Sequence, residues 1–246
     1  MRMVAGNWKM NGGPAMAEAL VRDLAARLQG GTAAQVLLCP PALLLEQVVR
    51  AAQGAALQVG AQDCSTEAGP GAFTGEISAG MLAEIGCRAV IVGHSERRAR
   101  HGETDLQVAA KAKNALAAGL LPLICVGETR AEREAGKAEA VVSGQVKGSV
   151  PALSAGQQVV IAYEPVWAIG TGLTATPDDV RAMHARIRQE LQAIGGPAAT
   201  AAILYGGSVK AGNAAELFAV PEVAGALVGG ASLEAEGFAR IAEACR

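Results

Sequence analysis

The sequence predicts a (β/α)8 barrel on three observations. Short apolar runs recur eight times, at Met3 to Ala5, Val36 to Cys39, Leu57 to Ala61, Ala89 to Val92, Leu121 to Val126, Val159 to Ala162, Ala201 to Tyr205 and Ala226 to Val228. Helical stretches alternate with them, and 246 residues is the length that eight such units need. The residues able to do chemistry, among them Asn7, Lys9, His94, Glu164 and Ser208, fall just after the apolar runs. A barrel would gather those positions on one rim. An open doubly wound sheet would give a similar periodicity, and the barrel is favoured. No linker, low-complexity segment or abrupt change of composition divides the chain, so one domain over residues 1–246 is expected.

The runs carry many β-branched residues, which reads as strands buried on both faces in a parallel sheet. Met16, Leu20, Leu24 and Leu28 repeat one helical face and stop at Gly30-Gly31. Thr176-Pro177-Asp178-Asp179 reads as a cap, a first-turn proline and two carboxylates matched to a helix dipole, with the helix ending near Gly195-Gly196. The segment Asp63 to Ser78 is too long and glycine-rich for an ordinary connection, which points to function or disorder. Phe73 at its tip favours docking.

With 51% hydrophobic and 18% charged residues, the chain can bury a large core. No apolar segment is long enough for a bilayer span, and the N-terminal residues lack a signal-peptide apolar region, so cytoplasmic residence is expected by default. Cys39, Cys64, Cys87, Cys125 and Cys245 are scattered, without CxxC or a nearby histidine. They suggest neither a disulfide framework nor a zinc site and read as buried thiols. A net charge of −2 without basic runs argues against nucleic acid as the main partner.

The stretch from Val159 to Gly172 carries the sharpest signal. Pro165 ends a strand and holds Glu164 extended before it, while Gly170 and Gly172 offer a second hinge. Val166, Trp167, Ala168 and Ile169 between the hinges form an apolar tip that reads as a lid. A carboxylate beneath such a flap suits a general base, because desolvation raises its pKa toward working pH. His94 follows a strand and opens onto Ser95-Glu96 at a helix start, whose positive end lowers a histidine pKa and keeps the ring neutral. His101 and His184 read as surface residues. Gly206-Gly207-Ser208 and Gly229-Gly230 leave bare backbone after the last two strands, where amides can grip a phosphate.

GNWKMN at Gly6 to Asn11, GHSERR at Gly93 to Arg98, AYEPVWAIGTG at Ala162 to Gly172, YGGSV at Tyr205 to Val209 and LVGGASL at Leu227 to Leu233 together resemble the triosephosphate isomerase family over the whole chain. The resemblance implies a homodimer without cofactor or metal that interconverts dihydroxyacetone phosphate and D-glyceraldehyde 3-phosphate through an enediol. It assigns proton transfer to Glu164, carbonyl polarisation to His94, and substrate binding with transition-state electrostatics to Asn7 and Lys9. Glu96 would support the site or be an ordinary first-turn carboxylate. Gly170, Ser208, Gly229 and Gly230 would hold the phosphate, and the loop with Phe73 and Thr74 would reach into a partner subunit. A neutral histidine and a gating loop are established features of this family. Leu173 replaces a frequent basic residue and Ala224 a common aspartate. A Schiff-base aldolase is disfavoured because the strand before Glu164 offers no lysine, and a metal-dependent epimerase because three scattered histidines supply no ligand set. A catalytically dead phosphosugar-binding barrel is the remaining alternative.

Overall fold

In the computed structural model, residues 1–170 and 174–246 are described, so Gly172 of the expected hinge and the Leu173 departure lie outside the described residues. Among them, eight strands form: β1 (Met3–Asn7), β2 (Gln35–Cys39), β3 (Leu57–Ala61), β4 (Ala89–Val92), β5 (Leu121–Val126), β6 (Val160–Tyr163), β7 (Ala202–Tyr205) and β8 (Gly225–Val228). Each pairs in parallel with the next, and β1 pairs with β8, so the sheet closes into a barrel without an edge. The open-sheet alternative is thereby excluded. Three strands keep the bounds of their apolar runs, and the rest shift by one or two residues. Ladder pairing rather than apolarity sets those ends: Asn7 is paired with Cys39, and Tyr163 with both Val126 and Tyr205.

Helices α1 (Pro14–Arg27), α2 (Leu45–Ala51), α3 (Ala79–Ile85), α4 (Ser95–His101), α5 (Asp105–Ala117), α6 (Arg130–Glu134), α7 (Ala138–Ser149), α8 (Pro177–Ile194), α9 (Ala214–Phe218) and α10 (Ala235–Ala244) surround the barrel. Helix α8 starts as its sequence dictates, with Pro177 in the first turn and a reciprocal cap. The Thr176 hydroxyl accepts from the Asp179 amide, and the Asp179 carboxylate accepts from the Thr176 amide at 3.0 Å. Helix α1 ends at Arg27, capped by Leu28, slightly ahead of the glycines.

Alternation along the strands divides the core into two layers. Met3, Ala5, Leu37, Cys39, Ile91, Leu123, Val160, Ala162, Leu204 and Leu227 fill the barrel, while Val4, Val36, Leu38, Val90, Ile124 and Ile161 face the helices. All five cysteines are buried thiols, as expected. No helix among the described residues is long and apolar enough to cross a membrane.

One feature differs from the sequence reading. His184 is fully buried rather than at the surface: it meets the Tyr163 ring edge-on, with centroids 5.9 Å apart, and its Nδ1 donates to the Glu222 carbonyl at 3.3 Å. Burial pushes its pKa down to about 4. Close to Ala224, the Arg188 guanidinium pairs with the Glu222 carboxylate at 2.8 Å and donates to the carbonyls of Ala199 and Ala201.

A histidine whose folded pKa is depressed contributes stability that is fully present above its unfolded pKa near 6.5 and is lost as pH falls toward about 4. The parent protein should therefore lose roughly 3 kcal/mol more than His184→Phe between pH 7 and pH 4. Urea denaturation of both proteins across that range checks this. Parallel stability curves would contradict a buried neutral His184.

Candidate active site

Side chains at every second strand position point into the barrel, and the sequence places polar groups where those rows reach the rim. After Met3 and Ala5 the inward row delivers Asn7, and after Val160 and Ala162 it delivers Glu164. After Ala202 and Leu204 it reaches Gly206, where a Cβ would stand only 2.9 Å from Cγ of Glu164. His94 arrives differently. Gly93 takes a left-handed φ of 67° and packs against Val108, where a Cβ would come within 2.7 Å, so only glycine makes the turn that brings His94 to the head of α4.

Glu164 is 1% exposed, and its carboxylate is fully engaged. Oε1 lies 2.8 Å from Nε2 of His94, Oε2 accepts the Ser95 amide at 2.9 Å, and the Cys125 thiol donates as well. The Glu96 amide donates to Nδ1 of His94 at 3.2 Å, which fixes the proton of the neutral ring on Nε2, facing Glu164. The Glu164–His94 contact sets both pKa values. Burial works to raise that of Glu164, but His94, the Ser95 amide and Cys125 outweigh it and hold the carboxyl below its usual range. Burial favours neutral His94, but the Glu164 carboxylate raises its pKa above the ordinary value. Both directions reverse the sequence expectation, because neither burial nor a helix start foretells that the two side chains touch.

Lys9 sits opposite, in a left-handed backbone conformation (φ 52°) that is strained for a non-glycine residue. The strain is held by the Lys9 amide donating to Oδ1 of Asn7 at 2.9 Å and by Nε2 of Gln62 donating to the Lys9 carbonyl at 2.9 Å. Its ammonium meets the carboxylate of Glu96, in the first turn of α4, at 2.6 Å. A cavity of about 300 Å³ lies between these groups, lined by Asn7, Lys9, His94, Glu164, Gly170, Ser208, Gly229 and Gly230. Every site residue expected from the sequence borders it except Glu96, which reaches it through Lys9.

The stretch after Glu164 begins with a short turn at Val166–Ala168, in which Ala168 is buried. Nε1 of Trp167 donates to Oε1 of the fully buried Glu128 at 2.8 Å, Tyr163 donates to the same oxygen at 3.1 Å, and Ser208 donates to the Ala168 carbonyl at 3.1 Å. Gly170 is exposed and takes a left-handed φ of 69°, which favours glycine.

The sequence reading missed Ser95 as a partner of Glu164, although its place as the first residue of α4 leaves its amide without a helical acceptor. It also missed Lys210 and Leu227, which line the cavity beside the expected glycines. Among the described residues no three His, Cys, Asp or Glu side chains gather as a metal ion would need.

Comparison with known proteins agrees with this geometry. The family model for triosephosphate isomerase matches residues 2–245. Triosephosphate isomerase of Acidiphilium cryptum is 54% identical over 251 residues, covering 99% of this chain and 98% of the relative. That of Herpetosiphon aurantiacus is 55% identical over 243 residues, covering 97% of each. The crystal structure of triosephosphate isomerase from Bartonella henselae superposes with a TM-score of 0.88 at 41% identity, covering 99% of this chain and 98% of that one. On its barrel, its rim residues and these full-length relatives, the chain belongs to the triosephosphate isomerase family.

Proposed function

We propose that the chain interconverts dihydroxyacetone phosphate and D-glyceraldehyde 3-phosphate through an enediolate. The observation that carries this reading is the buried Glu164 carboxylate in contact with Nε2 of His94 beside a cavity of about 300 Å³ that Lys9 and paired glycines also line. Glu164 takes the proton from one carbon and returns it to the neighbour. Nε2–H of His94 polarises the carbonyl and shuttles protons between the two oxygens. Asn7 and Lys9 stabilise the charge that develops on oxygen, and Glu96 holds the Lys9 ammonium in place. The backbone of Gly170, Ser208, Gly229 and Gly230 grips the phosphate.

In the present arrangement both oxygens of Glu164 are occupied, so this is a resting state. Substrate entry turns His94 toward the carbonyl and frees the carboxylate. Burial then acts on Glu164 without the opposing His94 contact and raises its pKa toward that of an effective base.

The same reading takes residues 1–246 as one domain in the cytoplasm, needing no cofactor and working as a homodimer. Phe73 is 43% exposed at the tip of its loop, and Met10 and Leu43, near the rim, are 96% and 98% exposed. Apolar groups so placed favour a second copy that covers them, with Thr74 brought beside its rim loops.

Glu164→Gln keeps the shape but cannot accept a carbon-bound proton. Turnover should fall at least about 10²-fold while inhibition by inorganic phosphate changes little. Turnover within tenfold of the parent would contradict the role of Glu164. In Phe73→Glu or Thr74→Glu, light scattering should report a folded monomer whose kcat is lower by roughly 10²-fold. A folded monomer with parental turnover would refute the dimer requirement.

A further inference from the structure

The residues that follow β5 form the bed on which Glu164 rests. The Glu164 amide donates to the Val126 carbonyl at 2.8 Å, and the Val166 amide donates to the Glu128 carbonyl at 3.1 Å. Between those two anchors lies Gly127, and an ideal Cβ there would overlap the carbonyl oxygen of Glu164. The main chain of Glu164 therefore lies directly against the bare Cα of Gly127, with no slack for either to move alone.

One side chain holds Gly127. Oε1 of Gln145 accepts its amide at 2.7 Å, and Nε2 of Gln145 donates to its carbonyl at 3.1 Å, so a single carboxamide fixes both the position and the plane of this stretch of backbone. The helix carrying Gln145 is itself anchored, with Val142 and Val146 fully buried and the Ser143 hydroxyl accepting from Arg186 at 2.8 Å. From the other side, Arg98 donates to the Cys125 carbonyl at 3.1 Å and to the Gly93 carbonyl, just before His94, at 2.9 Å.

We propose that Gln145, which touches no reacting atom, is a positioning residue for Glu164, acting through the backbone of Gly127. This deepens the isomerase reading and rests on it. Its signature follows from where the parts lie. Apart from Gly170, the phosphate grip is built after β7 and β8, two and three strands on from β5 and Gly127, so loosening Gly127 misplaces the base while most of the grip stays in place. Misplacement on the ångström scale costs roughly 10²-fold in rate.

Gln145→Met removes both hydrogen bonds at nearly constant volume, and Leu24→Ala, which empties a buried position on α1 away from β5 and β6, is the control for mere destabilisation. Gln145→Met should lower kcat by about ten- to a hundredfold, with inhibition by inorganic phosphate unchanged within about twofold, while Leu24→Ala keeps parental kcat. Gln145→Glu supplies a second readout. Its carboxyl mimics the amide only when protonated, with one oxygen accepting and one hydroxyl donating, so its kcat relative to the parent should rise as pH is lowered from 8 to 5.5. The proposal is overturned if Gln145→Met keeps kcat within threefold of the parent, if phosphate affinity falls in step with kcat, or if Leu24→Ala loses as much. Should Gln145→Met fail to fold, the Gln145→Glu ratio decides, and a ratio flat across pH overturns the proposal. An inactive parent defeats the isomerase reading itself, whereas an active parent with indifferent Gln145 variants defeats this inference alone.

Discussion

Burying a carboxylate is costly unless its charge is met, and the site is built around meeting that cost for Glu164. His94, the Ser95 amide and the Cys125 thiol surround it with donors, each from the end of a neighbouring strand or the helix after it. These partners come from β4 and β5, so the contact exists only because the barrel brings those strand ends beside β6. The carboxylate is thus kept ionised and dry at rest. Its partners are also the groups that a carbonyl substrate would compete for, which links resting stability to the reaction.

The barrel supplies the rest by simple alternation. Inward rows of Met, Ala, Val and Leu end in Asn7 and Glu164, so the periodicity that packs the core also aims the chemistry. Glycine marks the places where this row must break or yield space. Gly93 reverses the chain to present His94, and Gly127 and Gly206 let backbone approach Glu164 closely. The outer helices brace these points through Arg98 and Gln145, whose polar groups end on backbone atoms of the rim. Side chains remote from the cavity therefore determine where the reacting groups stand.

Much of this was legible in the sequence because it is local. Apolar runs marked every strand, and Thr176 with Pro177 and Asp179 fixed the start of α8, since cap and proline chemistry act within one turn. The motif residues converged because strand ends converge in a closed barrel. What could not be read depends on distances between separate elements. The pKa directions of Glu164 and His94 turn on a 2.8 Å contact between side chains 70 positions apart, which no local pattern encodes. Arg188 and Glu222 formed an ion pair that only the return of the chain toward β8 makes possible. His184 is a different case, because it shares a helical face with the buried Val180, Ile187 and Leu191, so periodicity could have placed it in the core. Its polarity misled the reading. Gln145 likewise lies three residues from the buried Val142, at the border of the apolar face of α7, where a polar residue is easily taken for surface.

The central claim is that a carboxylate of this chain carries a proton between adjacent carbons. Running the isomerisation of dihydroxyacetone phosphate in deuterium oxide and reading the product by NMR tests it most directly, because a proton resting on Glu164 can exchange with solvent whereas a hydride shift never leaves the substrate. The account predicts deuterium at carbon 2 of the D-glyceraldehyde 3-phosphate formed, in at least part of the product. Product formed at the full rate with no deuterium at that carbon would contradict it.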